Sequence, residues 1–153
     1  MNGQIPENMK QQVYSLAQRY ERERASRPPG PERTAVMEEV TSEIRQLALI
    51  AYPMIDELTA SASAGERLAA IAFLQIRPAA KWLDWLADRF ATETPFVRFQ
   101  AALALRNAAR GVAEGDKIAL RTAITKSKKL LEGLKATDSD EYIKLKEAES
   151  ELR

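Results

Sequence analysis

Punctuation is what most limits the fold. Glycines and prolines fall between segments whose apolar residues recur at helical spacing, and no run alternates apolar and polar residues as a half-buried strand would. The expected class is all-α. Pro6 and Glu7 suit a helix start, and Met9, Val13, Leu16, Ala17 and Tyr20 carry that helix to about Ser26, where RPPGP at 27–31 stops it. A second helix carries Val36, Met37, Val40, Ile44, Leu47, Ala48 and Ala51 on one stripe. It ends before Pro53, because the residue preceding proline is pushed out of the helical region. The two form an antiparallel hairpin.

Further along, a short helix from Pro53 to about Thr59 is broken by SASAG, and Ser63 with Glu66 has capping-box spacing for a helix reaching Arg77. Pro78 opens the next helix. Thr94–Pro95 then reads as an N-cap with proline in the first turn, and Gly111 as a left-handed terminator after Arg110. The helix at 96–109 is apolar nearly all round, with Phe96, Phe99, Leu103 and Leu105 among many alanines, which places it among neighbours on several sides. Leu120, Ala123, Ile124, Ser127, Leu130, Leu131 and Leu134 mark one face of a long helix. Asp138 with Glu141 caps a last, marginal helix carrying Tyr142, Leu145 and Leu152.

Composition removes most chemistry. Cysteine and histidine are both absent. Thiol nucleophiles, disulfides, Cys/His zinc sites and imidazole acid–base catalysis are therefore excluded. Only carboxylates, lysines, hydroxyls and oxygen-bound cations remain. The 153 residues, 45% of them hydrophobic, suffice for one domain with a real core. The net charge of +1, from 23 basic and 22 acidic residues, gives no strong pull toward nucleic acid or membrane. No apolar run nears the roughly 20 residues a membrane span needs. The opening MNGQIPENMKQQ lacks a basic region followed by an apolar stretch, so a cytoplasmic location is expected. No glycine-rich phosphate loop is present, and no catalytic residue, metal site or cofactor is assigned.

Two segments repeat. ERLAAIAFL (66–74) aligns with VRFQAALAL (97–105), placing Arg67 over Arg98, Ala70 over Ala101 and Leu74 over Leu105 at an offset of 31. Tyr52 over Leu83 and Ile55 over Leu86 keep the same offset. A fixed period in this range marks a solenoid. Residues 52–110 resemble the HEAT family of helix-pair repeats, most of all in TPFVRFQAALALRNAA (94–109). The units are shorter than the family's usual ~40 residues, and a third at 117–152 has an over-long first helix and no clear arginine.

A second resemblance covers LAQRYERERASRPPGPERTAVMEEVTSEIRQLA (16–48), at Tyr20, Arg24, Pro28, Gly30, Arg33, Thr34, Met37 and Arg45. It is similar to a helical hairpin recurring in bacterial multidomain proteins beside protease, TIR-type or NTPase modules of signalling and antiviral conflict. That resemblance implies an adaptor or effector-associated role. The combined expectation is a single all-helical domain over 1–153. It comprises a hairpin (1–51) packed on a short HEAT-like α-solenoid of two helix pairs (52–110), with C-terminal capping helices (114–153).

Six residues stand out as candidate partner contacts. Trp82 and Trp85 are the only tryptophans. On a helical wheel Leu83, Leu86 and Phe90 share the core arc, Trp82 flanks it by roughly 60°, and Trp85 lies roughly 120° away. Trp85 either packs against a neighbouring helix or anchors a partner. Arg33 and Thr34 follow the Pro–Gly turn. Either Arg33 pairs with Glu21 or Glu23 across the hairpin, or the two dock an acidic partner. Arg106 and Arg110 belong to the most basic stretch (61–113), which has seven basic and four acidic residues. Arg67 and Arg98 are expected to pair with Asp56 and Asp88. KSKK (126–129) is expected to form a solvated face, and Asp84 and Asp88 make a minimal carboxylate pair. The function expected is non-catalytic protein–protein recognition, with another protein or effector domain as partner. Nucleic-acid binding through the central arginines and homodimerisation are the rivals, and oligomeric state is open.

Overall fold

A computed structural model describes residues 4–153. The first three residues, part of the opening segment read above for a leader, lie outside the described residues. The described chain is all-α, without strands, and divides into two compact units between Arg77 and Pro78.

In the first unit, α1 (Glu7–Ser26) and α2 (Pro31–Gln46) form the expected hairpin. Gly30 turns the chain with φ 153°, a conformation closed to residues with a Cβ, and Pro31 occupies the first helical turn. Val13, Ala17 and Tyr20 on α1 face Met37, Val40 and Ile44 in the core. The second helix does not run unbroken to Ala51. It stops at Leu47, and a single turn, α3 (Ala48–Ala51), leads through a 3₁₀ turn (Tyr52–Met54) into α4 (Ile55–Thr59). Serial i−3 hydrogen bonds, including Leu47 N–H to the Ile44 carbonyl, tighten this stretch.

Helix α5 (Ala64–Ile76) packs on both arms of the hairpin. Every residue from Leu68 to Gln75 is buried. This is a second helix apolar on all sides, at the centre of its unit. Ser63 caps it as expected, accepting from the Glu66 N–H at 3.2 Å. The reciprocal bond of a capping box is replaced, since the Ser63 N–H donates to Ser61 Oγ. Gly65 sits against α1 so closely that a Cβ there would stand 2.1 Å from the Ala17 carbonyl oxygen.

The second unit contains α6 (Leu83–Thr92), entered through a 3₁₀ turn at Ala80–Trp82, then α7 (Pro95–Arg110), α8 (Lys117–Gly133) and α9 (Asp140–Glu151). Helix α7 touches the other three. Its all-round apolar sequence thus has the expected consequence. Val97, Ala101, Ala102, Ala104, Leu105, Ala108 and Ala109 are buried. The closest partnership is with α9, whose Leu145 and Ala148 are fully buried. The last helix is accordingly not marginal. Its burial along α7 supplies what its own sequence lacks. Its cap is Ser139 rather than Asp138, accepting from the Tyr142 N–H at 3.2 Å.

Three further helix ends differ from expectation. Thr94 precedes α7 with extended backbone but makes no side-chain cap, and its buried Oγ1 has no hydrogen-bond partner. Gly111 ends α7 at φ −129°, not in the left-handed region. The left-handed residue is Lys135, at φ 58°. There the Ala136 N–H reaches the Leu131 carbonyl and the Lys135 N–H the Glu132 carbonyl, the paired bonds of a Schellman end for α8. Leu134, counted on the buried stripe, lies past the helix end and is exposed.

The elements carrying the 31-residue offset are unequal. The leading helix is the single turn α4 in one unit and the ten-residue α6 in the other. Helix α5 completes the hairpin core, and α7 sits within a four-helix group.

Candidate functional site

The candidate residues separate by unit. In the first, Arg33 does not pair with Glu21 or Glu23. Its Nη1 donates to the Arg24 carbonyl at 3.2 Å, tying the start of α2 to an open carbonyl in the last turn of α1. Glu23 instead pairs with Arg27, and Glu21 accepts from Ser63 Oγ at 2.7 Å. Thr34 is exposed, its backbone N–H closing the first turn of α2 onto Gly30. The two neighbours therefore do different jobs: Arg33 clamps the hairpin and Thr34 lies on its surface.

Around the hairpin, Arg45 joins Glu38 at 2.8 Å and Gln75 of α5 at 2.5 Å. Tyr14 donates to Glu57, and this bond together with burial pushes the phenol up to about 12. Tyr52 donates to the Arg77 carbonyl at 2.9 Å, with the Arg77 guanidinium over its ring. Burial raises this phenol too, against the opposing pull of Arg77.

In the second unit several charges are matched across helices. Arg98 does not reach Asp88. Its Nε meets the buried Glu141 carboxylate at 3.1 Å, and its Nη1 donates to the Glu93 carbonyl at 3.0 Å. Arg106 meets Glu147 at 3.2 Å, and Arg110 lies 3.7 Å from Glu151. Each arginine is on α7 and each glutamate on α9, and both series ascend together. The two helices therefore run parallel, joined by a charge ladder. Lys144 and then Arg106 hold the Glu147 carboxyl below its ordinary range.

On the opposite side, Lys126 binds both Asp88 (2.6 Å) and Asp84 (2.9 Å). These bonds, Asp88 first, raise the ammonium above its usual value. Lys128 is raised likewise by Glu149 at 2.9 Å. KSKK is thus solvated only in part: Lys129 is exposed, whereas Lys126 and Lys128 are half-buried in ion pairs. Ser127 is buried and donates to the Ala123 carbonyl, while the lysines flanking it tie α8 to α6 and α9. The α6 carboxylates read as a minimal pair are bridged by this one lysine of α8.

The tryptophans keep part of their surface. Both are half-buried, Trp82 at the end of the 3₁₀ turn that enters α6 and Trp85 in the first turn of α6 itself. The Lys81 ammonium lies 4.9 Å from the Trp82 ring centre, and the Arg89 guanidinium 4.3 Å from that of Trp85. Arg89 is fixed in turn by the Trp85 carbonyl at 3.0 Å and by the buried Glu93 carboxylate at 3.3 Å. The rings are held by cations on their faces, in a frame of backbone bonds and ion pairs.

The α7–α9 ladder escaped the sequence reading, though a trace of it is there. Arg106 and Arg110, like Glu147 and Glu151, are four residues apart, one turn of a helix. Nothing local says that the two sets meet. Among the described residues no acidic side chains converge as a metal-ligating cluster, and no helix is long and apolar enough to cross a membrane. The chain matches no family model, no curated protein and no solved structure.

Proposed function

We propose that the protein is a non-catalytic scaffold for protein–protein recognition, presenting the Trp82–Trp85 flank of α6 to a protein partner. The observation that carries this reading is the pair of half-buried indole rings, each stacked by a cation, at the start of a helix tied to α8 by the ion pairs of Lys126. Tryptophan and arginine dominate binding hot spots, and a held surface loses little freedom on association. The ladder supports the same reading against nucleic acid, because Arg98, Arg106 and Arg110 already face carboxylates. An adaptor role beside an effector module rests on the hairpin resemblance and belongs to the same proposal.

The test is photo-crosslinking in the native cell. A crosslinker replacing Trp85 should give a discrete protein adduct that Trp82→Ala abolishes, while one at exposed Glu39 on α2 gives none. Equal adducts from both positions would defeat the reading. So would DNA retention on a filter that falls steeply with salt.

A further inference from the structure

Within the second unit, a cleft of about 310 Å³ opens where the α7–α8 connection passes the start of α6. Its walls are apolar, including Ala79, Leu83, Ala108, Val112 and Leu120, and its polar side chains are Asn107 and Asp116. Asp116 is the unusual member. Among the described residues of this unit every other buried or half-buried carboxylate has a cationic partner: Asp88, Glu93, Glu141, Glu147 and Glu149. Asp116 has none. It stands at the start of α8, where a carboxylate is favoured by the helix dipole, yet its side chain makes no capping bond there.

A carboxylate beside an apolar wall is costly to desolvate unless an opposite charge meets it. One carboxylate among hydrocarbon cannot replace the oxygen shell of a divalent cation, which needs several such ligands. An organic cation fits better, because it brings one compact charge and its own apolar surface. We propose that this cleft binds a small aliphatic amine, the ammonium on Asp116 and the hydrocarbon against Leu83, Ala108 and Val112. The cleft adjoins the Trp82 turn, but neither tryptophan lines it, and the proposal does not depend on the scaffold reading.

The probe is n-hexylamine, with 1-hexanol as its neutral counterpart, followed by NMR shifts in the intact chain. Shifts should appear at Leu83, Ala108, Val112 and Leu120. Asp116→Asn should weaken the amine by about tenfold or more, the loss expected for a hydrogen bond to a charged group, and leave hexanol unchanged. Ala79→Phe, which fills the cleft from its rim and keeps Asp116, should abolish binding of both. The proposal is overturned if hexylamine at millimolar concentration moves none of these residues. It is equally overturned if amine and alcohol bind alike, or if Asp116→Asn binds the amine as the parent does.

Discussion

The two units solve the same problem, how to bury a helix on several sides, by different means. In the first, α5 is almost wholly apolar from Leu68 to Gln75 and meets α1 through Gly65, with backbone nearly touching backbone. In the second, α7 is equally rich in alanine, but arginines flank its buried stripe and meet glutamates of α9. The first interface depends on a missing side chain, the second on matched ones. A steric interface fails when anything is added; a matched one fails when one member is removed.

That contrast breaks most sharply at Gly65. Gly65→Ala forces α5 away from the Ala17 carbonyl and should cost about 3 kcal/mol, the upper range for overpacking. Gly133→Ala, where a Cβ meets nothing within 4 Å, should be neutral or stabilising. Amide exchange in α1 and α5 measures the first. Equal effects at the two glycines would show that the close approach does not matter.

Next comes Arg98→Ala, which strands the buried Glu141 carboxylate. About 2 kcal/mol should be lost, less than the range for a fully buried pair because the arginine side chain is 15% exposed. Replacing both partners, Arg98→Met with Glu141→Leu, should recover most of it. Trp82 and Trp85 both lie in the second unit, so tryptophan fluorescence during denaturation follows that unit.

A gain of about 1 kcal/mol is expected from Lys135→Gly, since left-handed backbone penalises a residue with a Cβ by roughly that amount. The same fluorescence measurement reads it, and a loss of stability would mean the lysine side chain has a role of its own.

The smallest effect is alkaline. Lys126 and Lys128 have folded values above 10.5. Their contribution is therefore complete below 10.5 and lost as pH rises through the folded values. In the first unit Tyr14, raised from 10.0 to about 12, contributes below pH 10 and loses that contribution as pH climbs toward 12. These contacts are exposed or part-buried, each worth a few tenths of a kcal/mol to about 1. Lys126→Met should flatten the alkaline decline of the second unit, and Tyr14→Phe that of the first. An unchanged slope in either variant would remove its group from the account.

How much could be read beforehand follows the same division. Helices were legible wherever apolar spacing and a stop signal coincided, as in α1 from Val13 to the RPPGP break or α8 from Leu120 to Leu131. The Ser63 cap was legible because its bond closes within three residues. Gly65 looked like part of a break, SASAG, because nothing in the chain says that another helix will press on it. Gly111 drew the left-handed assignment that Lys135 holds, because where a helix stops depends on its packing. The wheel set Trp85 farther from the core arc than Trp82, but both are half-buried, and Trp82 precedes the α-helix on which the wheel was drawn. The expected partners of Arg33 and Arg98 were the nearest acids in sequence or repeat register, whereas the structure uses a carbonyl of α1 and a glutamate of α9.

The ladder also bears on how the second unit assembles. Its rungs join residues 43 and 41 positions apart. Two helices pointing the same way cannot meet through a tight turn, so the chain between them must travel out and return before the first rung can close. Such contacts are reached late, after the entropy of closing a long loop has been lost. A ribosome releasing this chain would expose α7, with its alanine-rich sides bare, until α9 emerged to cover it.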